Sequence, residues 1–290
     1  MSTQITTAFV EQYSSNVTML SQQMGSKLRG AVDVETIKGK NAFFDQIGVT
    51  AAQVRTSRHG DTPQIDTPHS RRRVSLSDYE WADLIDDQDK VRMLIDPTSS
   101  YAKAAAAAMG RSMDDVIITA LGGNADTGVS GGTSTALPSS QKVATADQTD
   151  GLTLAKLLDA KRILDNNDVD PSLKRYIVCG PQQIEDLLNT TEIKDSDFNT
   201  VKALAQGQVN SFLGFDFIMS TRLNFDATNT DDRLCFAFTE DAVKLAIGKD
   251  VTARIDERAD KSYATQVYYC MSIGATRMEE DKVVQIPCNE

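Results

Sequence analysis

One segment constrains the fold of this 290-residue chain more than any other, an alanine-rich stretch with high helical propensity. Every residue in 102–108 except Lys103 is alanine, Asp96-Pro97 suits the start of a helix, and Gly122-Gly123 suits its end. An unbroken helix here is about 37 Å long at 1.5 Å per residue, which exceeds the needs of a small domain. A core helix explains the alanines adequately, but a spine helix crossed by a neighbouring subunit explains them better.

The same segment carries a second helix-start signal. Ser112 with Asp115, directly after Gly110, resembles a capping box. The sequence therefore predicts that the helix restarts or bends at this point.

The first thirty residues carry a helical stripe of apolar side chains. The stripe consists of Phe9, Tyr13, Val17, Leu20, Met24 and Leu28. Because polar residues separate them, the predicted helix has one face exposed to solvent and one apolar face. The apolar face needs a partner surface. That surface is either the chain's own core or a neighbouring subunit.

Residues 41–84 read as a long hairpin with an uneven charge. Residues 44–58 and 72–84 are strand-like, and His59-Gly60-Asp61-Thr62-Pro63 between them is a turn signal. The outer half is poor in apolar residues, so we expect it to project from the body. The hairpin arginines are Arg55, Arg58, Arg71, Arg72 and Arg73, and the acidic residues that follow without any Lys or Arg are Asp78, Glu80, Asp83, Asp86, Asp87 and Asp89.

These two charge runs allow two interpretations. Charge runs usually form faces exposed to solvent. The more specific hypothesis is that one subunit's basic hairpin lies across another subunit's acidic strip. Exposed ion pairs are worth about 0–1 kcal/mol each, so they orient a contact more than they hold it.

The second half of the chain alternates between helices and strands. Residues 124–150 are rich in Gly, Ser and Thr and mark a subdomain boundary. Helices are predicted at 154–164 and 181–188, and strands at 175–179, 215–219, 234–238, 243–247, 251–255, 265–273 and 283–286. This pattern predicts an α+β fold with a mainly antiparallel sheet.

Composition excludes several classes of function. The net charge of −11 argues against a protein whose whole surface wraps nucleic acid, but not against a shell that encloses it. The four cysteines are widely spaced, which favours free thiols in a reducing cytoplasm. With only His59 and His69 present we expect no metal or cofactor, and the absence of a long apolar run predicts no membrane span.

One catalytic pattern occurs. Gly128-Val129-Ser130-Gly131-Gly132 fits the nucleophile elbow of serine hydrolases, which needs a preceding strand and a later histidine. Here a helix precedes and no histidine follows His69. A serine hydrolase that uses Ser130 is therefore a remote alternative, and we predict a structural protein with no catalytic residues.

The order of these parts resembles the major capsid proteins of tailed bacteriophages, which have the Hong Kong 97-type fold. The resemblance lies in the order and spacing of several motifs over nearly the whole chain. In chain order they are His69-Ser70-Arg71-Arg72-Arg73-Val74, Asp86-Asp87-Gln88-Asp89-Lys90, Leu94-Ile95-Asp96-Pro97, Met109-Gly110-Arg111-Ser112-Met113-Asp114-Asp115, Ile117-Ile118-Thr119-Ala120-Leu121-Gly122-Gly123 and Phe212-Leu213-Gly214-Phe215-Asp216-Phe217-Ile218-Met219-Ser220.

The resemblance implies a division of the chain into five parts. These are an N-terminal arm (1–40), an extended loop that overlaps an adjacent subunit (41–84), a peripheral domain with the spine helix and a connector (85–149), an axial domain (150–250) and strands that return to the peripheral domain (251–290).

The resemblance also implies a function and partners. Such proteins assemble in the bacterial cytoplasm as hexamers and pentamers of an icosahedral shell that encloses double-stranded DNA without sequence-specific binding. We expect a separate scaffolding protein, a portal protein at one vertex and, in some phages, a decoration or cement protein. A bacterial encapsulin, which has the same fold around an enzyme cargo, is the alternative.

Overall fold

A computed structural model of the chain describes residues 21–58, 60–62, 64–86, 98–143, 151–189, 211–227 and 229–290. The helices longer than one turn within these ranges are α1 (Thr98–Gly122), α2 (Leu154–Asn166) and α3 (Pro181–Asn189). The strands are β1 (Asp33–Thr36), β2 (Asn41–Ile47), β3 (His69–Ser75), β4 (Ser77–Ile85), β5 (Ala125–Thr127), β6 (Thr133–Thr135), β7 (Arg175–Cys179), β8 (Ser211–Phe212), β9 (Phe215–Met219), β10 (Asp232–Thr239), β11 (Val243–Arg258), β12 (Ala264–Arg277) and β13 (Val283–Asn289).

The described strands form three sheets. Their orders are β1-β11-β12-β4, β13-β10-β7-β9-β8 and β2-β3-β5-β6. The β1–β11 and β7–β9 pairs are parallel, whereas β10 pairs with both of its neighbours in the antiparallel sense. The α+β class predicted from the sequence is confirmed.

The chain divides into two compact units. The smaller one contains the described residues of Met1–Ser26, Asp78–Ser112 and Lys249–Ser272, and the larger one those of Lys27–Ser77, Met113–Gly248 and Ile273–Glu290. Helix α1 and strands β11 and β12 pass from one unit into the other along the chain.

The five-stranded sheet and helix α2 build a core of the larger unit. Helix α2 starts where the Thr153 hydroxyl accepts a hydrogen bond from the Lys156 amide, and its side chains Leu157 and Leu164 are fully buried. Phe215 and Phe238, on the sheet, are fully buried as well. Burial of one such side chain stabilises the fold by about 2 kcal/mol, so apolar residues occupy the buried positions of these elements. The spacing of those residues in the sequence therefore predicted the elements.

Helix α1 confirms the predicted long helix, but the predicted restart at Ser112 is wrong, and a bend there stays a prediction. The helix continues without interruption through Gly110 and Ser112. The Ser112 hydroxyl donates to the Ala108 carbonyl oxygen at 3.2 Å, so it serves the interior of the helix and does not cap a new one. Asp96 and Pro97 lie outside the described residues.

The helix predicted for the N-terminal apolar stripe is absent from the part of the stripe that the structure describes. Met24 is exposed, Leu28 is fully buried, and between them the chain forms no α-helix. The prediction is wrong here because the Lys27 and Leu28 amides donate to the Asp114 carboxylate and not to carbonyls one turn earlier. The other four members of the stripe lie outside the described residues.

The hairpin differs from the prediction in two ways. Its first arm ends as a strand at Ile47 and not at Arg58, because residues 49–58 are exposed and have no neighbouring strand among the described residues. Its second arm is two strands, β3 and β4, which belong to different sheets. Further along the chain, the strands predicted at 243–247 and 251–255 form the single strand β11.

Candidate intersubunit surface

The base of the hairpin is a regular antiparallel pair. Strands β2 and β3 pair from Asn41 opposite Ser75 to Ile47 opposite His69, and the Gly48 amide donates to the Pro68 carbonyl oxygen at 2.8 Å. Beyond this point the described residues up to Thr67 form an exposed loop without strands, which we call the distal loop (residues 49–67). The sequence located the hairpin correctly but overestimated its paired length.

The distal loop carries two of the predicted site residues. Arg55 and Arg58 are exposed, and the Arg55 Nε donates to the Ser57 carbonyl oxygen at 2.9 Å. Among the described residues neither arginine lies within ion-pair distance of an acidic group. Val49 and Val54 are also almost fully exposed, at 99% and 88%. The loop therefore presents positive charge and aliphatic side chains that nothing described in the chain covers.

The other three arginines lie on β3 and have partners within the chain. The Arg71 Nε is 2.5 Å from the Asp45 Oδ1, and its guanidinium lies over the Phe43 ring at 5.4 Å from the centroid. The hydrogen bond from Arg71 holds the pKa of Asp45 below its usual value. Arg71 is half-exposed and remains accessible to a second molecule.

Arg72 is more deeply engaged. It is 7% exposed, its Nε donates to the Met278 carbonyl oxygen at 2.9 Å, and its Nη2 lies 2.5 Å from the Glu280 Oε2. A guanidinium buried in this way stabilises its own subunit, because removal of either partner leaves a charge without compensation.

Arg73, the third arginine of β3, pairs with a residue of the neighbouring strand β5. Its Nη2 lies 2.5 Å from the Asp126 Oδ2, and Asp126 is its register partner in β5. Thus the structure pairs Arg71, Arg72 and Arg73 internally, and the intersubunit role predicted for them stays a prediction.

The same strand pair explains the Gly-x-Ser-x-Gly pattern. Residues 128–132 are the turn between β5 and β6, where Gly128 and Gly131 adopt φ values of +91° and +67°. A Cβ at Gly131 would lie 2.5 Å from the Arg73 Cδ. The glycines therefore serve a hairpin turn packed on Arg73, and Ser130 lacks the strand-to-helix geometry of a nucleophile elbow.

The acidic strip is only partly occupied by internal contacts. On β4, Asp78 accepts a hydrogen bond from Ser272, and Glu80 accepts one from the Tyr268 hydroxyl at 2.9 Å, which raises the pKa of Tyr268 to about 12. Asp83 is half-buried and accepts from the Leu84 amide, while Asp86 is exposed. Asp87 and Asp89 lie outside the described residues. The strip's contact with a basic hairpin stays a prediction.

Two structural features of α1 were not predicted from the sequence. At Gly110, a Cβ would come within 2.4 Å of the Gly25 carbonyl carbon, so the chain's own N-terminal segment crosses the helix there. Arg111 fixes this segment through its Nη1, which donates to the Gln22 Oε1 at 2.9 Å. The signal that could have located the crossing is Gly110, a glycine in the interior of the helix.

The second feature is a buried arginine at the end of α1. Arg277 is fully buried, and its guanidinium donates to the carbonyl oxygens of Leu121, Gly123 and Thr135 at 3.0, 2.7 and 3.2 Å. The Leu121 and Gly123 carbonyls are ones that the end of α1 leaves without helical partners, and the Thr135 carbonyl belongs to β6. Burial lowers its pKa below the usual arginine value.

Two further properties concern the part of the chain that the structure describes. In it, no three His, Cys, Asp or Glu side chains come together as a metal site. None of its helices is both long and apolar enough to cross a membrane.

Comparisons with known proteins agree with one another. The sequence profile of phage capsid proteins matches residues 5–290, and no curated protein matches the chain. The capsid protein of cyanophage P-SCSP1u is similar in structure, with a TM-score of 0.77, 18% identity, and coverage of 99% of this chain and 94% of that one. A chain of the capsid asymmetric unit of cyanophage Pam1 has a TM-score of 0.73 and 14% identity, with coverage of 98% of this chain and 97% of that one. A chain from Mycobacterium phage Che8 has a TM-score of 0.65 and 16% identity, with coverage of 95% of this chain and 96% of that one.

Proposed function

This chain belongs to the phage capsid protein family, and from that premise we propose that it assembles as hexamers and pentamers into an icosahedral shell around packaged double-stranded DNA. Its fold is the Hong Kong 97-type fold of tailed-phage major capsid proteins. It is a major capsid protein, a structural component of the virion, and not an enzyme.

The exposed distal loop supports the proposal that neighbouring subunits overlap. Val49 and Val54 are almost fully exposed, and Arg55 and Arg58 have no acidic partner among the described residues. Exposed aliphatic side chains next to unpaired charges are typical of a surface that becomes covered on association. In a closed symmetric assembly a second copy covers such a loop, and every copy is covered in the same way.

The charge of the chain supports enclosure of DNA without tight binding. A protein that grips DNA neutralises phosphates with Lys and Arg, and each such contact strengthens binding. The net charge of −11 opposes this, so we infer that the shell confines DNA and leaves it free to be ejected.

The division of the chain also enters as a proposal. Residues 1–40 would be the arm, 41–84 the extended loop, 85–149 the peripheral domain, 150–250 the axial domain and 251–290 the returning strands. Assembly would take place in the host bacterial cytoplasm with a scaffolding protein and a portal protein, and a decoration protein could bind the finished shell.

Characterisation of the purified protein tests this proposal. Size-exclusion chromatography with light scattering and negative-stain microscopy should show shells or five- and six-fold capsomers, alone or after addition of the scaffolding protein. A protein that stays monomeric with the scaffolding protein present would overturn the proposal. Particles from infected cells should contain nuclease-protected DNA, whereas particles filled with one enzyme would support the encapsulin alternative.

A further inference from the structure

A lysine and a cysteine are in contact on two neighbouring strands of the smaller unit. Lys249 lies on β11 and Cys270 on β12, and these strands are adjacent in their sheet. The Lys249 Nζ donates a hydrogen bond to the Cys270 Sγ at 3.0 Å. Both residues belong to one compact unit of a single chain, so the contact brings a nitrogen nucleophile to an oxidisable sulfur without the help of a second copy.

The surroundings of this pair favour a reaction between its two members. Lys249 is exposed, and within the described part of the chain no carboxylate lies within ion-pair distance of its Nζ, so the thiol does not compete with an acid for the amine. Cys270 is 8% exposed, which admits a small oxidant more readily than another protein thiol. The hydrogen bond from Lys249 lowers the pKa of the Cys270 thiol, and the thiolate is the form that oxidants attack.

The other three cysteines are protected from such a reaction. Cys179, Cys235 and Cys288 are fully buried and lie in the larger unit. Burial raises the pKa of Cys179 to about 12, which leaves almost no thiolate at neutral pH. We therefore expect Cys270 to be oxidised before the other three.

We propose that Lys249 and Cys270 are a modification site, at which hydrogen peroxide converts the hydrogen-bonded pair into a sulfenamide, a covalent S–N bond between β11 and β12. The reacting atoms, 3.0 Å apart, are already at the separation of a near-attack arrangement. Oxidised cysteines are known to condense with a nearby nitrogen in this way. The proposal is independent of the proposed function, because it needs neither assembly nor DNA.

The reaction takes place in two steps. The Cys270 thiolate attacks one oxygen of hydrogen peroxide, the O–O bond breaks, and the S–O bond of a sulfenic acid forms. The leaving hydroxide takes a proton from the Lys249 ammonium group and becomes water. The neutral Nζ then attacks the sulfur, the S–O bond breaks, the S–N bond forms, and a second water leaves with one amine proton. The sulfur is oxidised by two electrons and one peroxide is reduced to two waters, so atoms and electrons balance.

The new bond would secure a part of β11 that has a neighbour on one side. Strand β1 pairs with residues 244–247 of β11, and beyond them the described strand beside β11 is β12. A covalent link at Lys249 holds this pair of strands together where β1 ends. We expect slower amide hydrogen exchange in residues 249–258 after oxidation, because the link opposes local opening.

Treatment of the full-length chain with hydrogen peroxide, followed by mass spectrometry of the intact chain and of its tryptic peptides, tests this assignment. The expected product has lost about 2 Da, is not cleaved by trypsin after Lys249, and gives a linked peptide pair that contains Lys249 and Cys270. Dithiothreitol should restore both the original mass and the cleavage, because thiols reduce the S–N bond.

Lys249→Arg is the matched variant. Its guanidinium keeps the positive charge beside the sulfur but stays protonated and is not a nucleophile. The variant should therefore stop at the sulfenic acid, a gain of about 16 Da that dimedone traps. Cys270→Ser should give neither product. Lys249→Gln serves if Lys249→Arg does not fold.

Several results would overturn the proposal. Cys270 of the parent chain could stay reduced, stop at the sulfenic acid, or proceed to the sulfinic acid as fast as it does in Lys249→Arg. Peptides that show a disulfide in place of the Lys249–Cys270 link, or a link that retains an oxygen atom between nitrogen and sulfur, would contradict it as well.

Discussion

Gly110 of helix α1 lies directly against the backbone of Gly25, so that a Cβ on Gly110 would come within 2.4 Å of the Gly25 carbonyl carbon. The N-terminal segment therefore crosses the alanine-rich helix at Gly110. This crossing lies outside the alanine run at 102–108, where a crossing by a neighbouring subunit stays a prediction. Glycine costs a helix about 1 kcal/mol relative to alanine, and this crossing explains why it is present.

We expect Gly110→Ala to destabilise the protein by about 1–3 kcal/mol, despite the better helix propensity of alanine, because the added methyl group displaces Gly25. Urea unfolding of the purified chain measures the change. Gly30→Ala is the matched control, since a Cβ there meets nothing within 4 Å. Equal stability of Gly110→Ala and the parent would contradict the observed crossing.

We expect Arg277→Met to lower the free energy of unfolding by about 3 kcal/mol. Two carbonyl oxygens at the end of α1 and the Thr135 carbonyl oxygen of β6 lose their donor, and Met fills similar space without replacing it. Thermal unfolding followed by circular dichroism tests this. Arg258→Met, which breaks an exposed pair with Asp260, should change stability little. If the two variants have the same melting temperature, the buried guanidinium has no capping role.

Arg72 and Arg55 should behave differently although both belong to the basic hairpin. Arg72→Gln should destabilise the isolated subunit by about 2 kcal/mol, because the Glu280 carboxylate and the Met278 carbonyl lose their partner. Arg55→Gln should leave subunit stability unchanged. Denaturant midpoints of the two variants in the unassembled state provide the measurement, and a loss of stability in Arg55→Gln alone would reverse the assignment.

The pair formed by Glu290 and Arg233 should make stability depend on pH. The hydrogen bond from Arg233, at 2.5 Å, lowers the pKa of Glu290 below 4.5 in the folded state. The stabilisation is therefore present above the unfolded-state value and is lost as the pH falls through the lower folded value. Because the pair is screened by solvent, we expect at most about 1 kcal/mol.

Glu290→Gln tests this dependence. The variant should be less stable than the parent at pH 7, and the difference should shrink at pH 3, where the parent's carboxylate is protonated as well. Glu257→Gln, at an exposed position of β11, is the control. A difference that does not change between the two pH values would contradict the linkage.

The elements of this fold were predictable where local patterns determine them. The alanine-rich stretch predicted α1, and the apolar residues around Phe215, Phe236 and Val267 predicted strands because the apolar side chains at these positions are buried. The order of the motifs gave the family, which the profile match over residues 5–290 confirms.

The contacts that orient these elements were not predictable from local patterns. Arg72 pairs with Glu280, and Gly110 contacts Gly25. These residues are far apart in the sequence, and a periodic pattern of apolar residues carries no information on such contacts. Residues 49–58 of the distal loop were predicted as a strand because their composition allows one. A strand also needs a neighbour to satisfy its backbone, and the described part of the chain provides none there.

The central claim is that the distal loop of one copy contacts another copy. The most direct test compares Arg55→Glu/Arg58→Glu with the charge-conserving control Arg55→Lys/Arg58→Lys by light scattering and negative-stain microscopy under assembly conditions. We predict that the Glu variant stays folded but forms no closed shells, whereas the Lys variant assembles like the parent. Normal shells from the folded Glu variant would contradict the claim.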